Sequence, residues 1–205
     1  MEHKHFGINY AKDKDGIAPE KLSARLNGWK RVADSFYRGS EVSFIQIRKD
    51  WDIIRHNHSI SMQTGRLVSR GYIPNLDEVY FLQIGICLEN LIKGLVAFKD
   101  PSLIDRAEIH GSLKTHNLKS LITSIPNYQL TDDESKLLEF LSIQIVWYSK
   151  YPIPVKADQI VSSASYNTEE IRNIFLTIYS KLSKLMEATG ELANPYHGYE
   201  FSLHK

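Results

Sequence analysis

The chain has 205 residues, of which 42% are hydrophobic and 24% charged, with 25 Lys and Arg set against 24 Asp and Glu. This size and balance suit one globular domain, and a formal charge of +1 supplies no long-range field that would draw in nucleic acid or an anionic membrane. Local basic patches stay open. With one cysteine, Cys87, an internal disulfide is excluded, and its place in an apolar segment reads as a small buried hydrophobe.

The opening segment MEHKHFGINYAKDKDG lacks the apolar core of a signal peptide, so cytoplasm is the expected compartment. Residues 1–18 are expected to form a loose arm. Pro19 suits the first turn of a helix, and Leu22, Leu26, Trp29, Val32, Ala33 and Phe36 hold helical spacing to about Tyr37. Gly39 is expected to end that helix. Ser40 would then cap a second one, with Phe44, Ile47, Trp51 and Ile54 on its apolar face to about Arg55. From Arg55 to Gly71 the periodicity fades, as in a fraying helix.

The segment Leu76 to Phe98 is apolar around nearly its whole circumference, so protein must surround it. Asp77, Glu78, Gln83, Glu89, Asn90 and Lys93 make it too polar for a membrane span. The spacing predicts the central rod of a bundle, with Gly71 and Pro74 marking a turn, Asn75 capping the start and Lys99, Asp100 and Pro101 ending it. Glu89 and Lys93 stand one turn apart and are expected to pair. They are candidate binding groups if the rod lines a groove.

A short helix is expected in the stretch to Gly111, and another in THNLKSLITSI, with Leu118, Leu121, Ile122 and Ile125 on one face. His116 would cap that helix or fix it by a hydrogen bond, and is the third candidate binding residue. Thr131 and Glu134 have capping-box spacing, opening a helix to about Ser149 that Pro152 and Pro154 follow. Asn167, with Glu170 three residues on, should cap a last helix to about Ala188 that presents Ile171, Ile174, Phe175, Ile178, Leu182 and Leu185 and ends at Gly190. The fold expected is all-α: a single up-and-down bundle of five to six helices over residues 19–190, with residues 191–205 as a tail.

Three segments in order resemble the HEPN superfamily of helical-bundle proteins. LENLIKGLVAFK is similar to that family's E-x-x-x-K-A-L type helix, and THNLKSLI to its G-H-D-L-x-x-L segment. VWYSKYPIP is similar to the W-x-x-R-Y-P-x-P end of a later helix in one branch, with Lys150 in place of the arginine. The resemblance covers about Leu76 to Pro154. It implies a bundle that commonly dimerises through two helices, in a superfamily with many ribonucleases of toxin–antitoxin, phage-defence or RNA-processing systems. Their metal-independent chemistry uses an Arg and a downstream His with roughly four to six residues between them, one to stabilise charge on phosphorus and one to move a proton.

That motif is not present in clean form. Arg172 opens RNIFLTIY, but Thr177 stands where the His is needed, and threonine exchanges no proton near neutral pH. Arg55 with His58 and Arg106 with His110 are too closely spaced for the family window, although either pair can share a helix face. Arg55, His58 and Arg172 remain the catalytic candidates. Lys150 and Tyr151, beside Trp147 and Tyr148, form an aromatic–basic cluster that would bind a phosphate or line a contact. His56 and His58 point apart on a helix, so no metal and no cofactor are expected. The reading that follows is a non-catalytic binding module in a bacterial stress or defence system, as a homodimer or with a protein partner, RNA or a nucleotide as ligand. The alternative is an endoribonuclease with an atypical Arg/His site.

Overall fold

The computed structural model describes residues 19–66, 68, 76–105, 108–147 and 167–189. Within them the chain is all-α, with five α-helices: α1 (Pro19–Thr64), α2 (Asp77–Lys99), α3 (Leu118–Ile122), α4 (Asp132–Trp147) and α5 (Thr168–Ala188). One antiparallel ladder pairs β1 (Ile104–Asp105) with β2 (Glu108–Ile109), in the register Ile104 to Ile109 and Asp105 to Glu108. The arm, the tail, Asn75, Gly190, and the cluster of Lys150 and Tyr151 lie outside the described residues.

The rod is α2. It packs against α1, α3, α4 and α5 alike, burying Tyr80, Phe81, Ile84, Cys87, Leu88, Leu91 and Ile92 from solvent. By length and apolarity alone α2 is a helix that could cross a membrane, yet here protein buries most of it. Its two glycines mark where neighbours come closest. A Cβ built on Gly94 would lie 2.8 Å from both Trp29 Cβ and Met186 Cε, and one on Gly85 2.9 Å from Ile145 Cγ1.

One expectation fails at Gly39. Instead of two helices, a single α1 of 46 residues runs through it, about 69 Å at 1.5 Å per residue. Glycine disfavours a helix interior by about 1 kcal/mol, but here α1 is packed closely on α2. A Cβ at Gly39 would lie 3.1 Å from Gln83 Nε2 on α2. Ser40 caps nothing: it is wholly buried, and its hydroxyl donates to the Tyr37 carbonyl at 2.7 Å. Tertiary packing overrides the local stop signal.

The contacts of α1 also fix its direction. Trp29 meets Gly94, Gly39 meets Gln83, and Phe44 meets Tyr80, so α1 and α2 run antiparallel. By that register Ile47 faces the start of α2, and no α1 residue beyond Ile47 is buried. Residues 48–64 therefore overhang the start of α2 by roughly 25 Å. Trp51, expected on the apolar face, is 49% exposed for that reason, and Ile54 is half-buried. After Thr64 the chain turns back, the Val68 amide donating to Ser61 Oγ at 3.1 Å.

The remaining boundaries are set locally. Asp100 ends α2 and accepts a hydrogen bond from the Ser102 amide, opening a 3-10 turn over Pro101–Leu103. A second 3-10 turn covers Gly111–Leu113, so the stretch expected to hold a short helix holds two turns and the ladder instead. Asn117, not His116, caps α3 by accepting from the Ser120 amide at 2.9 Å. In α3, Leu118, Leu121 and Ile122 are buried as its spacing predicts.

The capping box of α4 forms in both directions. Glu134 N donates to Thr131 Oγ1 at 3.2 Å, and Thr131 N to Glu134 Oε2 at 3.1 Å. Asn167 caps α5, although its side chain accepts from Glu169 rather than Glu170. Thr168 Oγ1 donates to Asp77 Oδ1 at 2.9 Å, and Gly94 meets Met186, so α5 runs in the same direction as α2. Its core face is Ile171, Phe175, Ile178, Leu182 and Met186, whereas Leu185 is exposed.

Candidate functional site

Three of the candidate residues converge on one edge of the rod. Glu89 and Lys93, one turn apart on α2, are both buried, and their side chains form an ion pair. The loop before α3 brings His116 to the same carboxylate, with Nδ1 3.1 Å from Glu89 Oε2. Each carboxylate oxygen thus has its own partner, an ammonium on Oε1 and an imidazole on Oε2. Taking an ion pair out of water is costly unless its hydrogen bonds are complete, and this pairing completes both oxygens of Glu89.

His116 is the exposed member, with 47% of its side chain open to solvent. Neighbouring caps hold its loop in place. The Asn117 amide donates to Thr115 Oγ1 at 3.1 Å, and the Leu118 amide to Ser142 Oγ of α4 at 2.9 Å. A carboxylate behind Nδ1 fixes the ring and its tautomer, and Nε2 has no hydrogen-bond partner among the described residues. The arrangement offers one oriented imidazole nitrogen to a ligand, backed by a neutralised buried carboxylate.

Arg172 is used elsewhere. From α5 it holds Glu41 of α1 through Nε to Oε1 at 3.2 Å and Nη2 to Oε2 at 2.6 Å. Its guanidinium carbon lies 4.7 Å from the centre of the Phe44 ring. The Glu41 hydrogen bonds raise its pKa above the ordinary arginine value, against an opposing effect of burial. Thr177, five residues on, is exposed and donates to its own helix at the Asn173 carbonyl. Arg55 and His58 sit on the overhang of α1, both exposed, with Arg55 paired to Asp52. The described catalytic candidates therefore do not share one site.

A further polar cluster joins α1 to α5. Tyr179 donates to Asp34 Oδ1 at 2.7 Å, Lys30 pairs with the same carboxylate oxygen, and the Tyr37 ring stacks on Tyr179 with centroids 4.6 Å apart. Burial, then the Asp34 hydrogen bond, push the Tyr179 hydroxyl well above its usual range. Burial does the same to the Cys87 thiol, which stays protonated and inert at neutral pH. Neither Glu41 nor Tyr179 was a candidate from sequence, since their partners stand 131 and 145 residues away.

Among the described residues no three of His, Cys, Asp and Glu gather as a metal ion requires. Among the described candidates, Glu89, Lys93 and His116 are the group that meets from separate elements of the chain. No family model, no curated protein and no solved structure matches this chain.

Proposed function

We propose that this chain is a HEPN-like helical interaction module without ribonuclease chemistry, working in a bacterial stress or defence system as a homodimer or with a protein partner. The observation that supports it is the commitment of Arg172. One edge of its guanidinium, Nε and Nη2, is taken by Glu41 and one face by Phe44, while Thr177 stands where the proton-transferring histidine is needed. A guanidinium held in that way is neutralised by a carboxylate and committed to the α1–α5 contact, with no histidine beside it to move a proton. The edge formed by Glu89, Lys93 and His116 is the surface proposed for a ligand or partner.

The purified protein is expected to leave a labelled single-stranded RNA intact during prolonged incubation with EDTA. Cleavage that disappears in Arg172→Ala or His58→Ala would overturn the reading. A second reading, an endoribonuclease using Arg55 and His58, draws on one fact: both are exposed and lie one turn apart on α1. It predicts EDTA-resistant cleavage abolished by His58→Ala alone, and it is discarded if that variant cleaves as the parent does.

A further inference from the structure

The line of α1 that faces the core does not stop where the bundle does. It carries Ala33, Ser40, Phe44 and Ile47 while α2 lies beneath it. Beyond Ile47 the same face continues as Arg48, Trp51, Arg55, His58 and Met62. Their spacing of i, i+3, i+7, i+10 and i+14 places all five on one stripe of a helix. All five are exposed. Chemistry changes abruptly along this line, from apolar groups to two guanidiniums, an indole, an imidazole and a thioether.

We infer that this stripe is a binding surface for single-stranded nucleic acid. Arg48 and Arg55 stand about 10.5 Å apart along the helix axis, with Trp51 between them. A polymer that presents flat bases between regularly spaced phosphates meets that order of groups: the indole stacks on a base, and the guanidiniums take phosphates on either side. His58 continues the stripe one turn on. The charge is complementary to such a partner, since no carboxylate lies on the stripe itself.

The flanking carboxylates do not block it. Arg48 lies 3.5 Å from Glu169, and Arg55 pairs with Asp52, but in both pairs more than half of each side chain is exposed. Exposed ion pairs of this kind hold weakly and exchange readily for another anion. Trp51 has no aromatic or cationic partner among the described residues. An acidic peptide would satisfy the arginines and leave the indole without a flat partner, and a paired duplex would hide its bases from Trp51. The net charge of +1 makes this a local surface, so binding depends on these groups rather than on a field from the whole molecule.

The inference rests on the binding-module reading and gives the module a second surface, separate from the Glu89 edge. It is tested by fluorescence anisotropy of the full chain with end-labelled twelve-nucleotide oligouridylate and, in a parallel arm, oligothymidylate. Binding that weakens with salt is expected, with Trp51→Ala and Arg48→Ala/Arg55→Ala each weakening it by about tenfold or more. Lys184→Ala, which removes an exposed cation on α5 away from the stripe, should bind as the parent does. The arm that binds more tightly separates RNA from DNA as the source of the shared chemistry. Absence of binding, or equal binding by parent and stripe variants, overturns the inference. So does a parent that binds neither oligonucleotide but forms a dimer that Trp51→Ala dissociates, because the stripe is then a protein interface. Gel analysis of the same samples reports whether the RNA is cleaved, so failure of the non-catalytic reading is seen separately. The substituted side chains are exposed, so the melting temperature of each variant should match the parent.

Discussion

Arg172 and Glu41 meet through two hydrogen bonds across 131 positions of sequence, over the face of Phe44. This contact anchors the start of α5 against the middle of α1. Arg172→Ala should destabilise the protein by roughly 1–3 kcal/mol, since it removes a charge-assisted pair and leaves Glu41 half-buried without its partner. Lysine should restore only part of that loss, because an ammonium cannot hold both carboxylate oxygens in a plane. Urea unfolding of the two variants checks it, and equal stability of Arg172→Lys and the parent would refute the bidentate account.

The buried pair Glu89 and Lys93 makes a sharper prediction. Lys93→Met alone leaves a buried carboxylate with only His116 beside it, a loss of about 3–5 kcal/mol. The double variant Glu89→Leu/Lys93→Met should recover most of that loss. A double-mutant cycle in urea measures the coupling, and a double variant as weak as the single would show that the pair is not the source of the loss.

Glycine substitutions should divide by position along the helices. Alanine is the better helix former by about 1 kcal/mol, so Gly28→Ala, whose Cβ meets nothing within 4 Å, is expected to stabilise. Gly94→Ala brings its Cβ to 2.8 Å from Trp29 and Met186. Overpacking of this kind costs about 1–3 kcal/mol, which outweighs the helical gain. Opposite shifts in melting temperature for the two variants are the expected result.

Alkaline pH should destabilise the protein. Burial raises the hydroxyls of Tyr80, Tyr128 and Tyr179 above their ordinary value of 10.0, and the Cys87 thiol above 9.0. In each case the folded chain keeps a proton that the unfolded chain releases. Their contribution is therefore fully present below pH about 9, and it is lost as pH rises from there through the folded values. Melting temperatures should fall steeply above pH 10, with a smaller fall in Tyr179→Phe. A flat profile to pH 11 would contradict it.

The features legible in the sequence were those decided within a few residues. The Thr131 box, the Asn167 cap and the stop at Pro101 each depend on groups three or fewer positions apart, and all three appear in the structure. Gly39 was misread because local propensity says stop, whereas the packing of α1 on Gln83, forty-four positions later, carries the helix through. The all-round apolarity of α2 foretold a central helix but not the order of its neighbours. Glu89 and Lys93 were legible as an odd polar pair on an apolar rod. That His116 would complete their site was not, since it arrives through a loop from twenty-seven residues away. Arg172 was singled out as a catalytic candidate, but its partner Glu41 carries no local mark.

The central position of α2 bears on how the chain is made. Translation delivers α1 and then α2 before α3, α4 and α5, so the rod leaves the ribosome with three of its four covering helices still unmade. At about 5–20 residues per second, the interval before α5 is complete is on the order of 10 s. Through that interval Phe81, Leu88 and Leu91 have no finished enclosure, and their apolar surface is open to association until the later helices arrive.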